Sequence, residues 1–433
     1  MNLITRDRRV SWHPFTQEAQ APPPVPIVAG RGAWLIGADG REYLDLISSW
    51  WVTLHGHAHP EIARAIAKQA ETLEQVIFAG FTHEPAVRLA EELLARLPGL
   101  SRVFYADDGS TAVEAALKMA CQFHLNRGHR RHRFAAFEGG YHGDTAGAMS
   151  AGRSTGFFDA FESMLFQVDR LPYPATWEGD DEVEGRDSAC LQALDDYLAE
   201  HGADCAALLA EPLVQGASGM RMSRPVFLRR VMERCRRAGV LFIADEVMTG
   251  FGRTGTLFAC EQAGLTPDLI CLSKGLTGGF LPLSAVVARE EIYQAFLGDS
   301  FHTAFAHGHS FTANPLGCAA ALASLELLRQ NDSLRRVGEI EALHRRWLAE
   351  LAGFPGVLRP RVRGAIAAFD LRDPNPGYHA AVGPKLRAFF LERGLVVRPL
   401  GETVYLSPPF CITDADLHRA WEAMAEAAQR FGG

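Results

Sequence analysis

Lysine is almost missing from this chain. It occurs only as Lys68, Lys118, Lys274 and Lys385, against 43 lysines and arginines together in 433 residues. Arginine therefore carries the positive charge, and each lysine raises its own question, because lysine forms a Schiff base and arginine does not. Close cysteine pairs are missing too. Cys121, Cys190, Cys205, Cys235, Cys260, Cys271, Cys318 and Cys411 contain no C-x-x-C spacing. Their apolar settings, as in DLICLS and PLGCAAA, predict buried thiols in a reducing compartment. No apolar run approaches the ~18 residues that span a bilayer. The start, MNLITRDRRVSWHPF, has basic residues but no apolar stretch of a secretory signal. A net charge of −8 leaves no electrostatic footprint for nucleic acid. These absences predict a soluble cytoplasmic protein whose partners include neither membrane nor nucleic acid.

What is present is ordinary globular composition, 48% hydrophobic and 22% charged, in a chain long enough for two or three domains. VPIVAGRGAWLIGADGREYLDLIS reads as a strand, a Gly-Ala-Asp-Gly turn and a second strand. HPEIARAIAKQAETLEQV and PAVRLAEELLARLPG have apolar residues at helical spacing. From about residue 100, apolar strands such as VFYA, DCAALLA, VLFIAD, DLICLS and LSAVVA alternate with helices. That alternation predicts an α/β domain with a mainly parallel sheet. Beyond NPLGCAAALASLELLRQ the pattern changes to that of a smaller α+β unit.

Lys274 differs from the other three lysines in its setting. It follows the apolar strand DLICLS and precedes Gly275 and the Gly278-Gly279 pair. Strand ends of parallel sheets open into ligand crevices, where a desolvated lysine becomes nucleophilic. The alternative is a lysine paired with a carboxylate. VLFIADEV places Asp245 and Glu246 at the end of another apolar run, where charge needs a partner. A protonated pyridine nitrogen of pyridoxal phosphate is one such partner, and Arg253 is another. Asp108-Gly109-Ser110-Thr111 joins a strand to a helix, so its amides form an anion site or a plain N-cap. Tyr141-His142-Gly143-Asp144 offers an aromatic face for ring stacking, or a turn with a half-buried tyrosine.

The set GSTAVEAALKMA, YHGDT, EPLVQGASGM, ADEVMTGFGRTG, SKGLTGG and HGHSFTANPLGCAAA, in this order, resembles the class-III aminotransferases of fold type I. WHPFTQ, SSWWVTLHGHAHP and RPLG narrow the likeness to the branch acting in biotin synthesis. The resemblance implies pyridoxal 5'-phosphate as cofactor. It implies a large cofactor domain at 56–317, a small domain at 318–433, and a segment 1–55 that joins the small domain and the pocket. It implies that Lys274 carries the cofactor covalently, Asp245 holds the pyridinium proton and Tyr141 stacks on the ring. Gly109 and Ser110 would bind phosphate, with Gln215 near the phenolic oxygen. Ser310 would reach the cofactor phosphate of a second subunit in a homodimer with shared sites. Trp51, Gly308, Phe15, Asp144 and Arg253 would join Tyr141 around the substrate, and Arg398 would take the acceptor's distal carboxylate. The implied reaction moves an amino group from S-adenosylmethionine to 8-amino-7-oxononanoate. Relatives commonly have Tyr at Phe15, Thr at Ser310, Pro at His309 and Phe at Leu400. Phe15, His309 and Leu400 together resemble a branch that uses lysine as donor.

Two other patterns compete. Gly250-Phe251-Gly252-Arg253-Thr254-Gly255, with Asp268 beyond it, fits the G-x-G-x-x-G of dinucleotide-binding dehydrogenases. No long helix is expected at Gly255, which opposes that reading. His55, His57 and His59 resemble a metal-binding run, but no acidic or cysteine ligand stands nearby in sequence, so no metal site is expected.

Overall fold

A computed structural model of the chain describes residues 2–152 and 158–432. A seven-stranded sheet lies at its centre. In spatial order the strands are Arg102–Ala106, Ser284–Ala288, Leu269–Leu272, Leu241–Asp245, Cys205–Ala210, Arg133–Phe137 and Asp169–Leu171. Ser284–Ala288 runs antiparallel to both neighbours, and the remaining pairs are parallel. CAALLA, LFIAD, LICL and SAVVA are buried at every position. Such runs fit a sheet covered on both faces. Alternate residues go to opposite sides. Phe242 and Ala244 join Phe227 and Leu228 of helix Pro225–Arg237, while Leu241 and Ile243 join Ala112 and Ala116 of helix Gly109–Asn126.

The first 55 residues hold three strands where the sequence reading expects two. Ile27–Arg31, Trp34–Gly37 and Glu42–Asp45 form an antiparallel run, with an extra reversal at Gly32, whose φ is +55°. Glycine adopts that backbone without a Cβ penalty. The third strand then pairs in parallel with Leu395–Val396, so the two ends of the chain share one sheet. A second antiparallel sheet, Val357–Arg363, Ile366–Leu371 and Thr403–Leu406, packs with helices Ser333–Leu351 and Asp414–Phe431. The boundary expected at 317/318 falls inside helix Pro315–Gln330, which packs on helices Pro60–Ala70 and Glu84–Leu94. Among the described residues, no helix is long and apolar enough to cross a membrane.

Candidate active site

A cavity of about 460 Å³ opens beyond the C-terminal ends of the parallel strands, and Lys274, Asp245, Tyr141, Gly109, Ser110 and Trp51 all line it. Register explains the meeting of the first two. Asp245 stands opposite Cys271 on the adjacent strand, and Lys274 lies three residues past that cysteine. Lys274 has φ +43°, a left-handed backbone that a non-glycine residue adopts at a cost and that recurs at functional sites. Two contacts hold its loop. Ser273 Oγ donates to Leu283 O at 2.9 Å, and a Cβ on Gly275 would lie 3.0 Å from Leu54 Cδ1. The Lys274 amine lies 5.0 Å from the ring centre of Trp51. Burial lowers its pKa, opposed by the charges of Asp245 and Glu211, so the amine is more readily neutral than an exposed lysine.

Asp245 is buried, and its partner is His142 rather than Arg253. His142 Nδ1 donates to Asp245 Oδ2 at 2.6 Å, and Val247 N donates to Oδ1 at 3.1 Å. His142 Nε2 is buried with no hydrogen-bond partner among the described residues. Glu211 also lines the cavity and clasps two loops, taking Tyr141 N at 3.0 Å and Gly216 N at 2.9 Å. Burial pushes its carboxyl up to about 7, against the pull of His142. Tyr141 donates its hydroxyl to Asp144 Oδ1 at 3.0 Å, and its ring stacks 18° from parallel on Phe158. Burial, with Asp144 beside it, raises the phenol's pKa, so it stays protonated.

The anion end is a helix N-terminus. Asp108 caps the 18-residue helix Gly109–Asn126 through a capping box with Thr111. Gly109 and Ser110 occupy its first turn, whose amides have no intrahelical acceptor. The glycines here are needed for close approach. A Cβ on Gly109 would lie 2.7 Å from Val247 Cγ1, and one on Gly143, at φ +121°, would lie 2.1 Å from Ser110 Oγ. An amine, a buried carboxylate set for a protonated ring nitrogen, an aromatic face and a helix N-terminus converge on one cavity. That donor set fits pyridoxal phosphate group by group.

The remaining expected residues are placed less uniformly. Arg398 does not line the cavity, but lies with its guanidinium 4.4 Å from the ring centre of Trp50, beside the cavity-lining Trp51. Phe15 meets the other edge of Trp50, with ring centres 5.5 Å apart. Trp51 Nε1 donates to the buried Tyr405 hydroxyl at 3.1 Å. Asp144 stays near the cavity through Tyr141. Arg253 is not brought to the lining. It is 1% exposed and donates to the carbonyls of Trp51, Thr53, Ser407 and Pro408, which makes it a brace behind Trp51. Gln215 is likewise outside the lining, with Nε2 donating to Glu138 O at 3.1 Å. Gly308 and Ser310 are exposed, and Ser310 O accepts from Gln75.

Both competing patterns dissolve in the fold. The 250–255 glycine loop is followed only by the four-residue helix Cys260–Ala263. His55 meets Ser324 Oγ at 3.0 Å, His57 meets Asp45 at 3.0 Å, and the His59 ring lies edge-on to His55. The sequence reading missed His142, Glu211, Val247 and Met248 as lining residues. Glu211 carries the signal that singles out Asp245, a charge closing an apolar strand. His142 stands inside YHGD, where attention fell on its aromatic neighbour.

The model of the family "Aminotransferase class-III" matches residues 15–428. The chain belongs to the class-III aminotransferases. This class-III aminotransferase is 56% identical over 417 residues to the adenosylmethionine-8-amino-7-oxononanoate aminotransferase of Synechococcus elongatus, covering 96% of this chain and 97% of that one. It is 41% identical to the enzyme of that name from Geobacter sulfurreducens, over 95% and 94% of the two chains. Among solved structures, the adenosylmethionine-8-amino-7-oxononanoate aminotransferase of Methanocaldococcus jannaschii superposes with a TM-score of 0.92 at 34% identity, covering 99% of both chains. An amine transaminase of an uncultivated Pseudomonas species, with pyridoxal phosphate bound, superposes at 0.90 with 31% identity, covering 98% and 99%. The fold is that of the type I pyridoxal-phosphate enzymes, and the chain is a pyridoxal-phosphate-dependent transaminase.

Proposed function

We propose that this enzyme transfers an amino group from S-adenosylmethionine to 8-amino-7-oxononanoate, giving 7,8-diaminononanoate for biotin synthesis. Relatives bearing that activity in their names match nearly the whole chain. The observation that carries the reading is the pairing of two ends: the Lys274–Asp245 pair at the strand ends, and Arg398 beyond the Trp50–Trp51 turn. An acceptor with a carboxylate at the end of an apolar chain suits a site that reaches from the cavity to Arg398, because a buried carboxylate needs a charge-assisted partner.

Pyridoxal phosphate, when bound, supplies the electron sink that makes a proton on the amine-bearing carbon acidic. Lys274 Nζ would anchor it, and as a free amine would take up that proton as general base and return it as general acid. The lowered basicity of the buried amine suits it to both roles. Asp245 would hold the proton of the cofactor's ring nitrogen, and His142 would keep the carboxylate oriented. Tyr141 would cover the ring face, and the Gly109 and Ser110 amides would bind phosphate. Trp51 walls the substrate channel, with Phe15 and Asp144 at its edge.

Gly308 and Ser310 fit this scheme as contributions to a neighbouring subunit. They lie on the surface, and the large apolar side chains Ile77, Phe81, Phe301 and Phe311 are exposed as well. A cytoplasmic homodimer that completes each site across its interface accounts for both features. The test is a donor panel on the purified enzyme with 8-amino-7-oxononanoate as acceptor. S-Adenosylmethionine should support turnover. Turnover with lysine alone would reassign the donor, and failure with every donor would overturn the acceptor.

A further inference from the structure

The segment Ser48–Trp51 carries an unusual backbone. Four consecutive non-glycine residues have positive φ: Ser48 at 51°, Ser49 at 57°, Trp50 at 126° and Trp51 at 70°. L-residues avoid that region, so a run of four persists only where surrounding bonds impose it. The run sends Trp51 into the cavity and lays Trp50 across Arg398.

Ser48 Oγ donates to Ser407 O and Arg253 to Trp51 O, and a further set of bonds converges on one fully buried carboxylate. Asp45 Oδ1 accepts from Ile47 N at 3.1 Å. Asp45 Oδ2 accepts from Ser49 N at 2.7 Å, from Ser49 Oγ at 3.1 Å and from His57 Nε2 at 3.0 Å. His57 is fixed in turn. Its amide donates to Gly32 O at 2.7 Å, and a Cβ on Gly30 would lie 2.5 Å from its own Cβ, so it docks on a bare strand. Asp45 also stands opposite Val396, two residues before Arg398, and Leu46 N donates to Val396 O at 3.2 Å. One pair therefore ties the turn that carries the tryptophans to the strand that delivers the arginine.

We propose that the buried Asp45–His57 pair is a positioning device for acceptor recognition, holding the left-handed Ser48–Trp51 turn so that Trp50 fixes Arg398. This rests on the reading of Arg398 as the carboxylate clamp. Neither residue lines the cavity. Loss of the pair lets the turn relax toward right-handed backbone, and Trp50 leaves the guanidinium.

The experiment compares His57→Leu with His57→Gln, whose amide nitrogen matches the reach of Nε2, in cofactor-loaded enzyme. Near-ultraviolet circular dichroism of the tryptophans reads the turn without turnover. It should change in His57→Leu and return in His57→Gln. In single-turnover assays, His57→Leu should lower acceptor kcat/KM by about tenfold or more, chiefly through KM. Adding Arg398→Ala should cost little beyond Arg398→Ala alone, since both changes disable one clamp. Losses that multiply, an unchanged dichroism signal, or no loss in His57→Leu would each overturn the proposal. If Arg398→Ala itself leaves the acceptor unaffected, the clamp reading fails instead, and the dichroism still reports whether the pair holds the turn.

Discussion

The cavity around Lys274 and the flank that carries Arg398 are built on different terms. The Lys274 end stands on the sheet. Asp245 closes a buried strand, Lys274 follows the adjacent one, and His142 and Glu211 reach them from neighbouring strand-end loops. The Arg398 end stands on a strained turn and a two-residue strand, brought together from opposite ends of the chain. A sheet of buried strands fixes its ends by ladder hydrogen bonds and close packing. A turn must be fixed by specific side chains. In the proposed scheme, chemistry common to all substrates belongs at the first end, and discrimination between substrates at the second.

The largest effect should come from Lys274→Ala. Turnover should be lost, along with the visible absorbance of bound cofactor that borohydride removes. A variant that transaminates at a comparable rate would break the comparison at its rigid end. Asp245→Asn comes next, with the rate down by at least about a hundredfold and the cofactor retained. Near-normal rates would make that carboxylate a structural partner of His142 alone.

Arg398→Ala tests the other end. It should weaken the keto-acid by about 2–5 kcal/mol, the range for truncating one partner of a buried charge pair. Adenosylmethionine has its carboxylate beside the reacting amine, so the donor half-reaction should suffer much less. Equal losses in both single-turnover half-reactions would deny the division of labour.

The smallest effect on chemistry should come from Glu246, the residue next to Asp245. Thr249 and the amides of Ala259 and Cys260 donate to its carboxylate, and it does not line the cavity. Burial pushes it up to about 7 despite those donors. Glu246→Gln puts an N–H against one of the donors and should cost about 1–3 kcal/mol of stability, read by denaturant unfolding. Activity per folded enzyme should hold. Two adjacent carboxylates would then separate chemistry from stability at the end of a single strand.

Much of the first end was legible in the residues. The scarcity of lysine isolated Lys274, and charges closing apolar strands marked Asp245, with Glu211 carrying the same unused signal. Alternation of apolar runs and helices predicted the parallel sheet, because burial on both faces leaves a periodicity that needs no partner to be seen. Residue identities also set the net charge, the helix caps and the glycines that admit close approach. The second end was reached only through resemblance. Two residues assigned by resemblance, one at each end, lie outside the cavity lining: Arg253 braces Trp51 from behind, and Gln215 bonds a neighbouring loop. Tertiary structure alone decided that His142 reaches Asp245 across 103 positions in sequence, that Trp50 meets Arg398, and that Asp45 and His57 hold a left-handed turn. Local pattern records what each segment buries. It holds no record of which distant segment arrives, because that depends on strand order and register, which the packing of the whole chain selects.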